Sequence, residues 1–289
     1  MPNSQTAPGS ECLLCGNLAG NQILFELTRP IIRCAACGLV YASPIVGEGG
    51  DHDYTESYYR QGVYADYLSD REAIRRNAGR ALKDLERLAP GGRTLLDVGC
   101  ATGFFLEAAR DKGWKVRGLE ISEYASEYAR EELRLDVESA SITTLTRDYP
   151  KFDVITLWDT IEHLDRPDVA LANARLMMRD KGVLVLSTGD YGSLLRRVSG
   201  KRWRLFADPT HNFFFDERTI KRLLSQMGYE IIRLMRRGKW VSLSMILHQS
   251  GLPPAVRDRG LLIARRWNPS LYVNLRDVMT VFARPVRTS

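Results

Sequence analysis

The stretch LLDVGCATGFFL, residues 95–106, decides the fold that this sequence predicts. An apolar run ending at Asp97 is followed by Gly99 and Gly103, four residues apart, and then by a helical pattern. Ligands of open α/β sheets bind at such strand ends, where glycines allow close approach and a helix N-terminus attracts an anion. A dinucleotide fold would show G-x-G-x-x-G, so this loop predicts a different small ligand.

The next predicted strand, KVRGLEI, narrows the choice of ligand. It ends at Glu120, which follows Asp97 by 23 residues (120 − 97 = 23). A carboxylate about 20 residues on, at the end of the second strand, suits the two hydroxyls of a ribose. Asp97 would repel a pyrophosphate but could attract a cationic amino acid. S-adenosylmethionine (SAM) combines a carboxylate, a cationic end and an adenosine ribose.

Strand and helix patterns alternate on both sides of this stretch. They predict an α/β fold with a doubly wound, mostly parallel, Rossmann-like sheet of seven strands. A helix over 66–88 is stopped by APGG, the helix DVALANARLMMRD covers 168–180, and Ser122 can cap another. The seven predicted strands are TLLDVG, KVRGLEI, RLDVESAS, FDVITLWDT, GVLVLST, YEIIRLMRR and DVMTVFARP.

Four of the five cysteines form two C-x2-C pairs near the N-terminus. Eighteen residues separate the pairs (34 − 15 − 1 = 18), a spacing typical of a tetrahedral four-cysteine zinc site. Gly16 and Gly38 follow the pairs and permit tight knuckles. The alternative is two disulfides, which a reducing compartment disfavours. We therefore predict a structural zinc ribbon built by Cys12, Cys15, Cys34 and Cys37.

Composition sets broad limits. The 289 residues are 44% hydrophobic and 26% charged, which is ordinary for a globular protein, and the net charge of +6 favours an anionic partner. No apolar run is long enough to span a membrane, so no membrane partner is expected. The start, MPNSQTAPGS, has no signal-peptide pattern and predicts a disordered tail. These features favour a cytoplasmic protein.

At this point the sequence resembles the class I SAM-dependent methyltransferases. LLDVGCATG resembles their first motif and GLEIS their second, and FDVITLWDTIEHLDRP resembles the fourth, as in small-molecule O-methyltransferases of quinone biosynthesis. KGVLVLST and HNFFFDERTIKRLLSQMGYE resemble the following units. The resemblance covers residues 91–289, and the cysteines extend it to bacterial methyltransferases with an N-terminal zinc ribbon. Ala101 stands where the family usually has glycine, and alanine fits there if its φ is negative.

The resemblance implies a set of SAM contacts. Asp97, Gly99 and Gly103, with Ala101 in the same loop, would hold the methionine end. Glu120 would bind the ribose, and Ile121 would pack on adenine. Ser141, where the family often has aspartate, and Ile142 would lie near the adenine edge. Trp158 and Asp159 would line the methyl side, with core packing as the alternative for Trp158.

A hydroxyl acceptor would need a general base, and histidine suits that role. His163 follows the fourth strand and His211 precedes a capped helix, so both are candidates, with Asp159 and Glu162 as weaker ones. The alternatives are a helix-cap contact for His163 and a buried hydrogen-bonded group for His211. We expect His52 to be solvated, His248 to be structural, and Cys100 to be a packing residue.

The predicted domains are the tail and zinc ribbon (1–44), a helical lead-in covering the cofactor pocket (45–90) and the methyltransferase domain (91–289). A basic stretch at about 190–212 is either a solvated face or a lid for an anionic substrate. Tyrosines of the lead-in either close the pocket or simply pack. The basic stretch contains Arg196, Arg197, Lys201, Arg202 and Arg204 around Trp203. The tyrosines of the lead-in are Tyr58, Tyr59 and Tyr64.

The sequence therefore predicts methyl transfer to a small-molecule acceptor, with a hydroxyl of a sugar or natural-product intermediate, which can be anionic, as the leading case. The alternative is an RNA methyltransferase that grips nucleic acid with the ribbon and basic lid. Only Arg29 and Arg33 are cationic between Cys12 and Cys37, and stacking aromatics are sparse there, which disfavours nucleic acid. A non-catalytic scaffold is the third reading, and the intact Asp97, Gly99 and Glu120 argue against it.

Overall fold

The computed structural model describes residues 11–47, 67–145, 149–248 and 252–286, without the side chain of Arg265. The predictions for the N-terminal tail, His52 and the three lead-in tyrosines lie outside the described residues. The chain divides into two compact units. The first comprises Met1–His52, Ile142–Arg237 and Leu275–Ser289, and the second Asp53–Ser141 and Gly238–Asn274. The predicted domain limits at residues 44 and 90 stay a prediction.

The elements are numbered in chain order. The strands are β1 (Gln22–Glu26), β2 (Pro30–Arg33), β3 (Val40–Ala42), β4 (Thr94–Val98), β5 (Lys115–Glu120), β6 (Val137–Ser139), β7 (Phe152–Trp158), β8 (Met178–Gly189), β9 (Phe213–Phe214), β10 (Tyr229–Met235), β11 (Lys239–Ser242), β12 (Ser270–Val273) and β13 (Val278–Pro285). The α-helices are α1 (Arg71–Leu88), α2 (Phe104–Arg110), α3 (Glu123–Glu131), α4 (Pro167–Leu176), α5 (Leu194–Ser199), α6 (Glu217–Gln226), α7 (Leu243–His248) and α8 (Pro254–Arg266). Short 3-10 helices cover Tyr67–Asp70, Gly200–Arg202 and Arg204–Phe206.

In the second unit, β4, β5 and β6 form a parallel ladder with β5 in the middle. Leu95, Leu96 and Leu119 are buried, which explains the continuous apolar runs of β4 and β5. The Ser122 hydroxyl accepts the Ala125 N–H at 3.3 Å and caps α3, as predicted. The glycine loop thus lies between β4 and α2, at the carboxyl end of a buried parallel strand.

In the first unit, β7 and β8 pair in parallel, while β13 pairs antiparallel with β8 and β10 antiparallel with β13. With these four strands and the three of the second unit, the predicted α/β class with a mostly parallel sheet of seven strands is confirmed. Helix α6 begins with a capping box between Asp216 and Thr219. None of the described helices is long and apolar enough to cross a membrane.

The N-terminal ribbon is an antiparallel meander of β1, β2 and β3 in the first unit. Its last strand also pairs with β9, which places Val40 opposite Phe214 and Tyr41 opposite Phe213. Val40 and Phe214 also belong to one buried hydrophobic cluster. Its members are Ile31, Val40, Ala42, Tyr191, Trp203, Phe206 and Phe214. The ribbon therefore shares a hydrophobic core with residues 191–214.

Two parts of the element prediction were wrong. The helix predicted to reach Asp180 ends at Leu176, and Met178–Asp180 begin β8, where Met178 pairs with Phe152. Strand pairing thus overrides the helix propensity of this segment. Four further elements, β11, α7, α8 and β12, lie between the last two predicted strands and were not predicted from the sequence. Strands β11 and β12 and helix α7 are only four to six residues long, and α8 has most of its apolar residues on its exposed side, unlike an ordinary surface helix.

Candidate functional site

The glycine loop is held against the end of β5 by its own backbone. The N–H groups of Gly99 and Cys100 donate to the Leu119 carbonyl at 2.8 and 3.2 Å. Gly103 has a φ of +84°, and a Cβ there would lie 2.6 Å from Leu135 Cδ1. Only glycine meets both demands, so the spacing noted in the sequence reflects a real geometric requirement.

Ala101 does not have the negative φ under which alanine was expected to fit in this loop. Its φ is +48°, in the left-handed region, and not negative. This conformation costs an L-residue roughly 1–2 kcal/mol because its Cβ crowds the following carbonyl. Ala101 nevertheless makes a useful contact, since its N–H donates to Glu120 Oε2 at 2.8 Å.

We expect Ala101→Gly to raise the free energy of unfolding by about 1 kcal/mol, because glycine adopts positive φ without the Cβ penalty. Urea denaturation of the ligand-free protein measures it. The matched control is Ala172→Gly, at an exposed position inside α4. It should lower the same free energy by about 1 kcal/mol. Equal losses in both variants would show that residue 101 is not strained.

The Glu120 carboxylate is fixed from both sides. Oε2 accepts the N–H of Ala101, and Oε1 accepts the N–H of Ser122 at 2.9 Å. Only 5% of Glu120 is exposed, and Asp97 is also buried. A carboxylate offers about four lone-pair directions, and these two N–H groups fix its orientation at the end of β5. Ile121, directly after it, is a partly exposed large apolar residue.

Tyr67 is a residue near this loop that sequence reasoning missed. Its ring stacks on Phe104 at 5.9 Å with an interplanar angle of 9°. Burial raises the pKa of its hydroxyl, and the nearby carboxylates of Asp97 and Glu120 raise it further. Tyr67 ends the tyrosine-rich lead-in from which the sequence analysis chose other members. Burial likewise raises the pKa of the Cys100 thiol. The thiol therefore stays protonated, as expected for a packing residue.

The remaining predicted cofactor residues are divided between the units. Ser141 is half-buried in the second unit. In the first unit, Ile142 is buried and Trp158 is half-buried. Asp159 has a φ of +47°, and its Oδ1 accepts the Ser187 hydroxyl at 2.7 Å.

The first unit brings His163 and His211 together. Their ring centroids lie 4.6 Å apart in an edge-to-face arrangement. His163 Nδ1 lies 2.8 Å from Thr210 Oγ1, and His211 Nδ1 lies 2.7 Å from the Leu205 carbonyl oxygen. Asp208, which sequence reasoning missed, accepts the Thr210 hydroxyl at 2.6 Å. Its signal was its position in the motif DPTH, directly before Pro209.

These contacts fix the tautomers of both histidines. The Thr210 hydroxyl donates to the carboxylate of Asp208, so it accepts from His163 Nδ1–H. The Leu205 carbonyl can only accept, so His211 Nδ1 also carries a proton. In both neutral rings Nε2 is therefore the nitrogen with a lone pair, as a general base requires.

The electrostatics of this cluster follow from burial. Burial, and then the neighbouring His211, lower the pKa of His163 to about 3, while burial also lowers the pKa of His211. Burial, and then Asp159, raise the pKa of Glu162 to about 8. Among the described residues, Glu162 Oε2 has no hydrogen-bond partner. Donor atoms of Glu162, His163 and His211 lie within 4.8 Å of one another, a spacing that a metal ion could also use.

The four ribbon cysteines converge as predicted. Their sulfurs lie within 4.8 Å of one another, with Cys12 and Cys37 3.5 Å apart and Cys15 and Cys34 3.6 Å apart. No disulfide links them. Four sulfurs at about 2.3 Å from a zinc ion would be about 3.8 Å apart, so the cluster fits a tetrahedral zinc. Burial raises the pKa of Cys12 and Cys37, and a bound cation would favour their thiolate forms.

Two matching knuckles produce this convergence. The Gly16 N–H donates to the Cys12 carbonyl at 2.7 Å, and the Gly38 N–H donates to the Cys34 carbonyl at 2.9 Å. Both glycines have positive φ, +70° and +78°. The second knuckle is also held from outside, because Arg218 Nη2 donates to the Cys37 carbonyl at 2.9 Å.

Arg29 connects the ribbon to the histidine loop. Its guanidinium donates to the carbonyls of Pro209 and His211 at 2.7 Å each, and to Asn212 Oδ1 at 2.9 Å. Asn212 in turn donates to the His163 carbonyl at 2.8 Å. The ribbon thus supports the backbone that carries both histidines, a contact that no sequence spacing indicated.

The basic stretch is not a uniform face. Trp203 is buried in the shared core, and its Nε1 donates to Asp277 Oδ2 at 3.2 Å. Arg204 also binds the buried Asp277, through Nε at 3.1 Å. Lys201 and Arg202 are exposed. Arg204 is therefore committed to a structural ion pair, which leaves Arg202 as the better candidate for an acceptor contact.

Comparison with known proteins agrees with this geometry. A family model described as "Methyltransferase domain" matches residues 67–234, more than half of the chain. Ubiquinone biosynthesis O-methyltransferase of Coxiella burnetii is 31% identical over 131 residues, which cover 42% of this chain and 56% of that protein. The protein of the same name from Thiobacillus denitrificans is 29% identical over 162 residues, covering 52% and 70%. The chain thus spans little more than half the length of the first relative.

Solved structures support the fold alone. An S-adenosylmethionine-dependent methyltransferase from Clostridium acetobutylicum superposes with a TM-score of 0.51 at 14% identity, covering 80% of this chain and 96% of that one. A SAM-dependent methyltransferase from Thermotoga maritima, described as a possible histamine N-methyltransferase, gives 0.52 at 20% identity, covering 79% and 98%.

Proposed function

The chain belongs to the methyltransferase-domain family, and on that premise we infer that it transfers a methyl group from SAM to a hydroxyl oxygen of a small molecule. We favour a sugar or natural-product intermediate as the acceptor. The observation that carries the proposal is the fixed Glu120 carboxylate beside the glycine loop. The relatives named as O-methyltransferases support oxygen as the acceptor atom.

Each cofactor residue is given one role. Asp97 takes the amino group of the methionine end, while the loop of Gly99, Ala101 and Gly103 accommodates that end against the backbone. Glu120 accepts the two ribose hydroxyls, and Ile121 packs on adenine. We assign Ser141 and Ile142 to the adenine edge and Trp158 to the methyl side, as the resemblance implies. The positive sulfur of SAM supplies an activated methyl group with a neutral leaving group.

We expect Glu120→Gln to weaken SAM binding by about ten- to a hundredfold, because a hydrogen bond to a charged group contributes about 1.5–3 kcal/mol. Isothermal titration calorimetry with SAM measures the change. The matched control is Glu138→Gln on β6, whose carboxylate faces Arg117 at 3.6 Å. That variant should keep the wild-type Kd. A wild-type Kd for Glu120→Gln would remove Glu120 from the cofactor site.

The histidine cluster supplies the proton acceptor. His163 Nε2 removes the hydroxyl proton as the acceptor oxygen attacks the methyl carbon, and His211 packs against it as the second imidazole. Asp208 and Thr210 act through His163 and are positioning residues. Asp159, held by Ser187, is the weaker candidate. The family fold requires alignment of acceptor and methyl group and exclusion of water, which a buried cluster assists.

The zinc ribbon is structural in this proposal. Four cysteine sulfurs leave no open coordination position for water or substrate. The ribbon instead supports residues 209–212 through Arg29 and the β3–β9 pairing. Arg202, exposed in the basic lid, is the candidate contact for an anionic group on the acceptor.

Transfer of a labelled methyl group from SAM tests the acceptor class. One reaction offers total RNA, and the other a pool of sugar nucleotides and small metabolites. Label in the small-molecule fraction alone is the expected result, and mass spectrometry would then identify the acceptor. Label in RNA would instead establish the alternative, an RNA methyltransferase that uses the ribbon and basic lid.

A further inference from the structure

Helix α8 in the second unit carries a large apolar surface on the side away from its packing partners. Ala264 is buried, and Leu261 is half-buried. Val256 and Ile263 are seven residues apart, which places them on one face of the helix, and Trp267 follows directly after the last helical residue, Arg266. That face is open, with Ile263 61% exposed and Trp267 71% exposed.

Leu262 widens this surface, with 63% of the residue exposed. A surface helix ordinarily packs its apolar stripe and presents polar residues to solvent. A contiguous exposed apolar patch is instead characteristic of an interaction site. Within the part of the chain that the structure describes, helix α8 therefore packs one face and leaves a second, apolar face exposed.

The open face is also cationic. Arg259 and Arg266 are exposed, and they lie seven residues apart among the apolar positions. Asp258 is the only acidic residue in the sequence of α8, and its carboxylate is paired with Arg257 Nε at 3.2 Å. The α8 face, defined as Val256, Arg259, Leu262, Ile263, Arg266 and Trp267, thus combines aliphatic side chains, arginines and a tryptophan.

We propose that the α8 face docks on an anionic lipid surface. An amphipathic helix lying in the membrane interface buries aliphatic groups among the acyl chains and holds arginines at the headgroups. Tryptophan favours that same interfacial zone. Anionic headgroups attract each arginine near the surface. All three residue types on the face therefore find a suitable environment at once.

Two other occupants fit the chemistry less well. A second copy of the chain, packed face to face, would bring the arginines of both copies together, and like charges repel. RNA would attract the arginines but leave the aliphatic side chains of Val256, Leu262 and Ile263 without a favourable contact. The lack of an apolar run long enough to span a membrane predicts no membrane partner. Docking by an interfacial helix needs no such segment.

Co-sedimentation of the full chain with vesicles tests the proposal. We expect binding to vesicles of phosphatidylcholine mixed with phosphatidylglycerol, little binding to phosphatidylcholine alone, and weaker binding at high salt. Leu262→Gln with Ile263→Gln, and separately Arg259→Gln with Arg266→Gln, should each lower the affinity at least tenfold. Because these side chains are exposed, both double variants should keep the wild-type melting temperature.

The matched control is Leu194→Gln with Val198→Gln on α5, where the two residues are 75% and 79% exposed beside Arg197. This variant should bind vesicles as the wild type does. The proposal is overturned if the wild type ignores anionic vesicles, or if the control loses binding as much as the α8 variants. It is also overturned if the α8 substitutions dissolve a dimer seen by light scattering, or abolish RNA binding without changing vesicle binding. All these results are independent of methyl transfer.

Discussion

Replacing Cys12 and Cys34 with serine is expected to remove one zinc ion per chain and to lower the melting temperature sharply. Apparent binding energies of structural zinc are about 10–16 kcal/mol, which is a large contribution for a segment as small as the ribbon. Elemental analysis gives the metal content, and differential scanning calorimetry gives the stability.

The same substitution should also lower kcat, because the ribbon supports the histidine loop. Arg29 reaches that loop through the Pro209 and His211 carbonyls. Arg29→Gln separates the two effects, since it should keep the zinc and lose part of kcat. A metal-free double variant that melts and turns over like the wild type would contradict the structural role.

Cys100→Ser is the matched control for the zinc measurement. Cys100 is buried and lies outside the cluster. This variant should keep one zinc per chain and a melting temperature near that of the wild type. Zinc remaining in the Cys12 and Cys34 variant would instead point to the donors of Glu162, His163 and His211 as a second metal site.

Replacing His163 with glutamine is expected to lower kcat for methyl transfer by about 10²-fold, the lower end of the usual contribution of a general base, because the burial that lowers the pKa of His163 to about 3 also weakens it as a base. The Kd for SAM should stay unchanged, because the cofactor contacts are assigned to other residues. The measurement uses the acceptor identified by the labelled-methyl experiment. His248→Gln, at the end of α7, is the matched control and should keep the wild-type kcat.

Thr210 provides a second, finer test of the same cluster. Thr210→Val removes the acceptor for His163 Nδ1–H while nearly conserving shape, so the ring is no longer fixed with Nε2 as the base. We expect kcat to fall about tenfold and to recover in Thr210→Ser, which restores the hydroxyl. If His163→Gln and His211→Gln both keep the wild-type kcat, the transfer proceeds by alignment alone.

The sequence determined those features in which a local pattern has only one structural solution. The run that ends at Asp97, with Gly99 and Gly103, required a strand, a turn of positive φ and a helix start, and the structure contains all three. The two C-x2-C-G segments required two knuckles, because two cysteines three positions apart and a following glycine form one tight turn. Continuous apolar runs predicted β4, β5, β7 and β8 because these strands are parallel and buried.

Tertiary structure decided everything that depends on residues distant in the chain. The left-handed φ of Ala101 is maintained by its N–H contact with Glu120, 19 positions away. Other contacts join segments that are 47 to 182 residues apart. They are the pairing of His163 with His211, the contacts with Asp208 and Thr210 that set the tautomers, and the contact of Arg29 with the histidine loop. The start of β8 at Met178 also depended on pairing with β7. A local pattern records turn geometry and burial, whereas a contact between distant segments arises only once the chain has packed.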